Sequence, residues 1–210
     1  MSNITSSNYV NLERLTFLID GVFAITMTLL VLELRPPEEG VTNLPESLHG
    51  MLPRLYIYFI AFYSIANYWV VHQRMFRHIT SADSVMLWLT MLGLLFITLI
   101  PVSTAIVGRF PGEKIAAACF SVNCFLQALT NWGFWFYVED RASQFAIHSE
   151  PRILKITTQV WFVISIGWLL SIGFSFLNPF IAYLSWVLWP NLVAIWGKRQ
   201  RQQLINVRDQ

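Results

Sequence analysis

Residues Arg14 to Leu34, RLTFLIDGVFAITMTLLVLEL, form an apolar run with a carboxylate, Asp20, inside it. About 20 such residues suffice to cross a bilayer as a helix. A carboxylate at that depth costs roughly 2.5 kcal/mol or more on insertion scales. Such a group faces protein or water, not lipid. The first run therefore belongs in the middle of an assembly, which points to a path through a membrane.

The rest of the chain agrees. Of its 210 residues 55% are hydrophobic and only 12% charged, with a mean hydropathy of +0.52. Soluble domains carry about 25% charged residues. Half that value, with nine Trp, describes an integral membrane protein. The net charge of +2 is too weak to argue for nucleic acid. Cys119 and Cys124 lie five apart, so they diverge by about 140° on a helix. They read as small core residues and imply no disulfide, metal site or cofactor. The first run lacks a basic leader and a small-residue cleavage pattern, and it ends in Glu33-Leu34-Arg35-Pro36-Pro37. It is expected to stay in the mature protein.

Six apolar segments have spanning length: 12–34, 52–76, 84–107, 114–138, 153–177 and 179–196, followed by a polar tail at 197–210. None alternates in polarity as a lipid-facing barrel strand does, so the fold is expected to be all-α and polytopic. The longest loop holds Pro36, Pro37, Glu38, Glu39 and Gly40, then NLPESLHGML, which suits a short surface helix. Pro101 and Pro190 are expected to kink the third and sixth helices. Pro179 suits a first helical turn.

Orientation follows from Lys and Arg near the span ends. Arg14, Arg74, Arg77, Arg141, Arg152, Lys155, Lys198, Arg199, Arg201 and Arg208 fall on the side of both termini, and Arg35, Arg54, Arg109 and Lys114 on the other. Both termini are therefore predicted to be cytoplasmic.

Ile25, Thr28, Leu29 and Leu32 follow the spacing i, i+3, i+4, i+7 and share one helix stripe. Several copies of this helix around an axis would stack rings of Ile, Thr and Leu. From spacing alone, an apolar stripe on a membrane helix is more often lipid-facing or plain packing. Glu33, about 40° from Leu29 on an α-helix, could gather cations at an outer mouth or snorkel beside Arg35. Asp20 is about 140° from Ile25 and Arg14 about 120° from Asp20. Each is expected to find a partner on another segment: Asn67, His72 and Gln73 on the second, or Asp83 and Thr90 on the third. Tyr56, Tyr58, Trp69, Trp132, Trp135, Tyr137 and Trp186 read mostly as interface anchors.

These residues resemble a known family. RLTFLIDGVFAITMTLLVLEL is similar to the first helix of the transmembrane protein 175 potassium channels, whose hallmark is Arg, three residues, then Phe-Ser-Asp. Arg14 and Asp20 match; Leu18 and Ile19 stand where Phe and Ser are expected. The likeness runs on through FIAFYSIANYWVVHQRMF, with Trp69 and His72 in family-like places, and DSVMLWLTMLGLLFITLIPVSTA, which opens on Asp83. The second half matches mainly in span number and length. The resemblance implies a prokaryotic homotetramer in the cell membrane, six helices per subunit, with the first helices lining the pore. It implies a constriction at Ile25, a hydroxyl layer tied to selectivity at Thr28, and further apolar rings at Leu29 and Leu32. Arg14 and Asp20, in a polar network with His72 and Asp83, would hold helices together and not touch the ion.

The expected function is a passive, potassium-preferring cation channel, with potassium ions and the bilayer as its partners and no metal beyond the permeating ions. A secondary transporter is the runner-up, yet the spans show few charges and no evident repeat. An intramembrane enzyme is disfavoured, since no GxSxG, HExxH or paired-Asp pattern occurs.

Overall fold

The computed structural model describes residues 11–37, 43–76, 79–145 and 151–208. These residues form seven α-helices and one 3-10 turn. Helix α1 (Leu12–Leu29) runs into the turn, Leu30–Glu33. It is followed by α2 (Leu44–Phe76), α3 (Ser84–Thr98), α4 (Ile100–Arg109), α5 (Lys114–Asp140), α6 (Pro151–Leu177) and α7 (Pro179–Arg208). Glu38, Glu39, Gly40 and Arg77 lie outside the described residues, as does the Arg208 side chain.

Local chemistry sets several of these boundaries. The Asn11 side chain accepts from Arg14 N at 3.1 Å and opens α1. Asp83 does the same for α3, accepting from Met86 N at 2.9 Å. Asn43 and Glu46 cap α2 reciprocally: Glu46 N donates to Asn43 Oδ1 at 3.3 Å and Asn43 Nδ2 to Glu46 Oε2 at 3.1 Å. That Asn43 N-cap, steadied by its side-chain bond to Glu46, starts the helix at Leu44. The stretch expected as a separate surface helix is thus the opening of α2, which runs on through Pro53. Pro101 has no N–H for the carbonyl four residues earlier, and its ring crowds that turn. The third span accordingly divides into α3 and α4, with Pro101 in the first turn of α4. Pro190, by contrast, sits inside α7, which stays one helix. The tail expected beyond the last span continues the same helix to Arg208.

The helices alternate in direction. At one end Arg54 Nε donates to Gly108 O at 3.3 Å and the Tyr183 hydroxyl donates to Pro111 O. Glu33 shares a small pocket with Arg54 and Arg109 there. At the other end Thr158 Oγ1 donates to Trp135 O at 3.3 Å and Arg201 Nη2 to Thr157 Oγ1 at 3.1 Å. The start of α1 and the end of α7 therefore share one end of the bundle.

Among the described residues, four segments are long and apolar enough to cross a membrane: Leu12–Glu33, Ser84–Arg109, Pro151–Leu177 and Pro179–Gln203. Helices α2 and α5, at 33 and 27 residues, have the length but are more polar. Asn67 and His72 interrupt the first, and Asn123, Gln127 and Asn131 the second. Packing between helices in lipid comes from dispersion and polar pairing, not from expelling water. The joint of α5, α6 and α7 shows both. Ala116, Ala117 and Ala128 are buried on α5. Trp186 Nε1 donates to Ser121 Oγ at 3.0 Å and to Ser171 Oγ at 2.9 Å. Trp186 and Trp135 are therefore core residues, not the interface anchors their positions suggested. The five-residue spacing sends Cys124 inward and leaves Cys119 exposed, so only one of the two is a core residue.

Candidate functional site

Helix α1 has two unlike faces. Leu15, Ile19, Phe23, Thr26 and Leu30 are buried against the rest of the subunit. The opposite face has no cover within the subunit. It carries Phe17, Leu18, Ile25 (60% exposed), Thr28, Leu29 and Leu32 (67% exposed). Every residue expected on the stripe lies on this face. Gly21 and Ala24 continue it, and Arg14 stands at its beginning.

Two threonines separate the faces. Thr26 is buried and donates its hydroxyl to Val22 O at 2.7 Å. Thr28 is exposed and donates to Ile25 O at 2.8 Å. With that proton given to the backbone, the Thr28 oxygen keeps lone pairs free as an acceptor. An oxygen of that kind suits a cation.

The 3-10 turn changes the upper end of the stripe. Its residues advance about 120° each, so i and i+3 eclipse. Leu32 therefore stands directly over Leu29. Glu33 swings about 120° from Leu29 instead of the 40° that an α-helix gives. It is half-buried in the pocket lined also by Arg35, Arg54 and Arg109. Of the two readings of Glu33, a mouth residue on the stripe or a neighbour of Arg35, this placement favours the second.

The expected polar network of Arg14, Asp20, His72 and Asp83 divides into separate parts. Among the described residues, no side-chain hydrogen bond joins any two of the four. Asp20 Oδ1 accepts from Trp69 Nε1 at 2.9 Å, tying α1 to α2. Asp83 Oδ2 accepts from the Tyr137 hydroxyl, which in turn accepts from Arg141 Nη1 at 2.7 Å. The Arg141 guanidinium also sits over the Tyr137 ring, 4.7 Å from its centroid. His72 stacks on Phe76, with ring centroids 4.1 Å apart, and leans towards Phe23. Trp69 and Tyr137 are thus partners of the carboxylates, a role that reading them as interface anchors missed. The available signal was chemical: each is an aromatic donor on a membrane-length helix, and such donors find acceptors where they are partly buried.

The family model described as the endosomal/lysosomal potassium channel TMEM175 matches residues 14–101, which hold α1 to α3 and this whole stripe. Over that stretch this chain is similar to the TMEM175 family. A potassium channel of Streptomyces collinus is 28% identical over 168 residues, covering 76% of this chain and 80% of that one. A potassium channel of a Chryseobacterium species is 28% identical over 185 residues, covering 84% and 91%. The crystal structure of a lysosomal potassium-selective channel TMEM175 homolog from Chamaesiphon minutus matches with a TM-score of 0.78 at 22% identity, covering 89% of this chain and 97% of that one. At that identity the match shows a shared fold.

Within the TMEM175 motif this chain departs at Leu18 and Ile19. The two departures fall on different faces: Leu18 is on the exposed face, whereas Ile19 is 1% exposed. Ile19 adds an apolar side chain to the joint behind the stripe, where no hydroxyl is available to pair.

Proposed function

We propose that this chain forms a passive, potassium-preferring cation channel in the cell membrane, as a homotetramer whose pore is lined by α1. The observation that carries the reading is the uncovered α1 face. A helix with one side packed and the other bearing Ile25, Thr28, Leu29 and Leu32 needs copies of itself, or lipid, to cover it. Two facts favour copies. Thr28 is a polar acceptor in the middle of that face, and the match to channel-forming relatives covers the same residues. In this reading α2 and α5 serve as the remaining two of six spans, and the excess of Lys and Arg at the termini's end supports a cytoplasmic side for both termini.

In this reading four Ile25 side chains form the narrowest ring. An ion sheds part of its water there, and the Thr28 oxygens replace some of the lost ligands. Potassium, with the lower dehydration cost, passes more readily than sodium; how filters divide this work between size and ligand field is debated even for carbonyl-lined pores. The Leu29 and Leu32 rings add a stretch that can gate by dewetting. Asp20 with Trp69, and Asp83 with Tyr137, brace α1 and α3 without touching the ion. Glu33 balances the arginines at the outer end. No cofactor enters this scheme, and an ion-coupled transporter is not favoured.

The test is potassium and sodium flux into liposomes holding the pure protein, for the native chain and for Ile25→Asn. The native chain passes potassium faster than sodium. Ile25→Asn raises total flux and narrows the difference. Unchanged flux with unchanged preference would remove Ile25 from the pore.

A further inference from the structure

A cleft of about 310 Å³ lies away from α1, between α2 and α7, floored by α6. Tyr63 and Asn191 bridge its walls with a hydrogen bond of 2.8 Å. Tyr68 stacks on Trp161 along the floor, with ring centroids 5.7 Å apart. Arg74, Lys198 and Arg201 stand at one end, and no acidic residue lines the cleft.

Three buried side-chain N–H groups among the described residues have no hydrogen-bond partner: Trp161 Nε1, Trp168 Nε1 and Arg201 Nε. All three belong to residues lining this cleft. Trp161 is 4% exposed and Trp168 3%. The Tyr68 hydroxyl lies close enough to Trp168 for a weak pairing, which leaves Trp161 Nε1 and Arg201 Nε as the clearest unpaired donors. Each of the three groups donates and cannot accept. Leaving one such group unpaired when buried costs about 1–3 kcal/mol, and native proteins keep them rare. Arg201 is held in place by Thr157, to which it donates at 3.1 Å, and the charge of Arg74 acts on it. Like charges kept together without an acid, beside orphan donors, call for an anion bearing oxygen acceptors.

The spacing narrows the choice. Thr157, which holds Arg201, and Trp168 are eleven residues apart on α6, so the donors spread over about 16 Å. A single phosphate ion cannot reach across that distance. A phosphate with a glycerol ester backbone can, and its acyl carbons would lie on the apolar and aromatic walls.

We propose that the cleft binds a phosphate oxyanion carried by a membrane lipid, an anionic glycerophospholipid. Its phosphate sits among Arg74, Lys198 and Arg201. Its ester oxygens lie deeper, towards the Trp161 and Trp168 N–H groups. The inference does not rest on the α1 pore, and its test does not use ion flux, so either can fail alone.

The experiment measures lipid retained by the purified full chain in native mass spectrometry, together with its thermal unfolding. Three probes are compared: phosphatidylglycerol, phosphatidylcholine and inorganic phosphate. Phosphatidylglycerol is expected to be retained in preference to phosphatidylcholine and to raise the unfolding temperature, while inorganic phosphate does little. Arg74→Gln, at an exposed position, lowers phosphatidylglycerol retention by about tenfold, the scale of one lost charge-assisted bond, and Trp161→Phe, which keeps a ring but removes the N–H, lowers it by about two- to tenfold, the scale of a neutral one. Equal retention of the two lipids overturns the proposal. So does unchanged retention in both variants, or inorganic phosphate alone reproducing the full thermal shift.

Discussion

The indole Nε1 of Trp69 on α2 donates to the Asp20 carboxylate on α1 at 2.9 Å. This bond fixes the rotation of α1 about its own axis. With Asp20 held to α2, Ile25 and Thr28 are turned away from the subunit.

Trp69→Phe keeps the ring and deletes the donor. A half-buried carboxylate then loses a hydrogen bond of the kind worth about 1.5–3 kcal/mol. Thermal unfolding of the purified protein should shift down. Asp20→Asn combined with Trp69→Phe should cost less than the two single losses summed, because both act on one bond. Full additivity would separate the two residues energetically.

Thr28→Val removes the exposed oxygen and keeps the shape. Its hydroxyl bonds only to Ile25 O in the same helix, so stability should change little. The potassium-to-sodium flux ratio should fall by at least about two- to tenfold, the effect of losing a single polar ligand of about 0.5–1.5 kcal/mol, since every subunit loses its oxygen. A ratio equal to that of the native chain would place Thr28 outside the ion path.

Glu33→Gln tests the turn at the end of α1. Because Glu33 sits with Arg35, Arg54 and Arg109 and not on the stripe, potassium flux should stay within about twofold of native, the scatter of a surface charge change worth under ~0.5 kcal/mol. A large loss of flux that added salt masks would return Glu33 to an outer mouth.

Gly167→Ala probes the α6–α7 joint. A Cβ at Gly167 would stand 1.7 Å from Trp189 Nε1, which donates to Val163 O at 3.1 Å. The substitution must displace the indole, with an overpacking cost of about 1–3 kcal/mol. Gly173→Ala has nothing within 4 Å of the new atom and serves as the control. Thermal unfolding should fall for the first and hold for the second; equal behaviour would mean that Trp189 moves freely.

Asp83→Ala removes two interactions at once, the cap on Met86 N and the acceptor for Tyr137. The cap alone is worth about 0.5–2 kcal/mol. Tyr137→Phe should reproduce only the remainder, measured by the same unfolding assay. If Tyr137→Phe cost as much as Asp83→Ala, the cap would contribute nothing.

The stripe itself was legible in the sequence. Helical period is a property of the backbone, so the spacing of Ile25, Thr28, Leu29 and Leu32 put them on one face before any packing was known. The same holds for Asp20, whose cost in lipid required a partner; Pro101 was legible as a kink, but that its span divides while α7 runs on through Pro190 was not. What the sequence left open was the identity of partners. Asp20 had polar candidates on two segments and bonds to an indole instead. Trp186 looked like an interface residue and lies between serines of α5 and α6. Glu33 left its stripe because the helix tightens to 3-10 winding at Leu30, a change of 20° per residue that no spacing rule encodes. Period is local and is written in the order of residues. Partners are set by which helices meet and at what rotation, and that is decided only when the whole bundle packs.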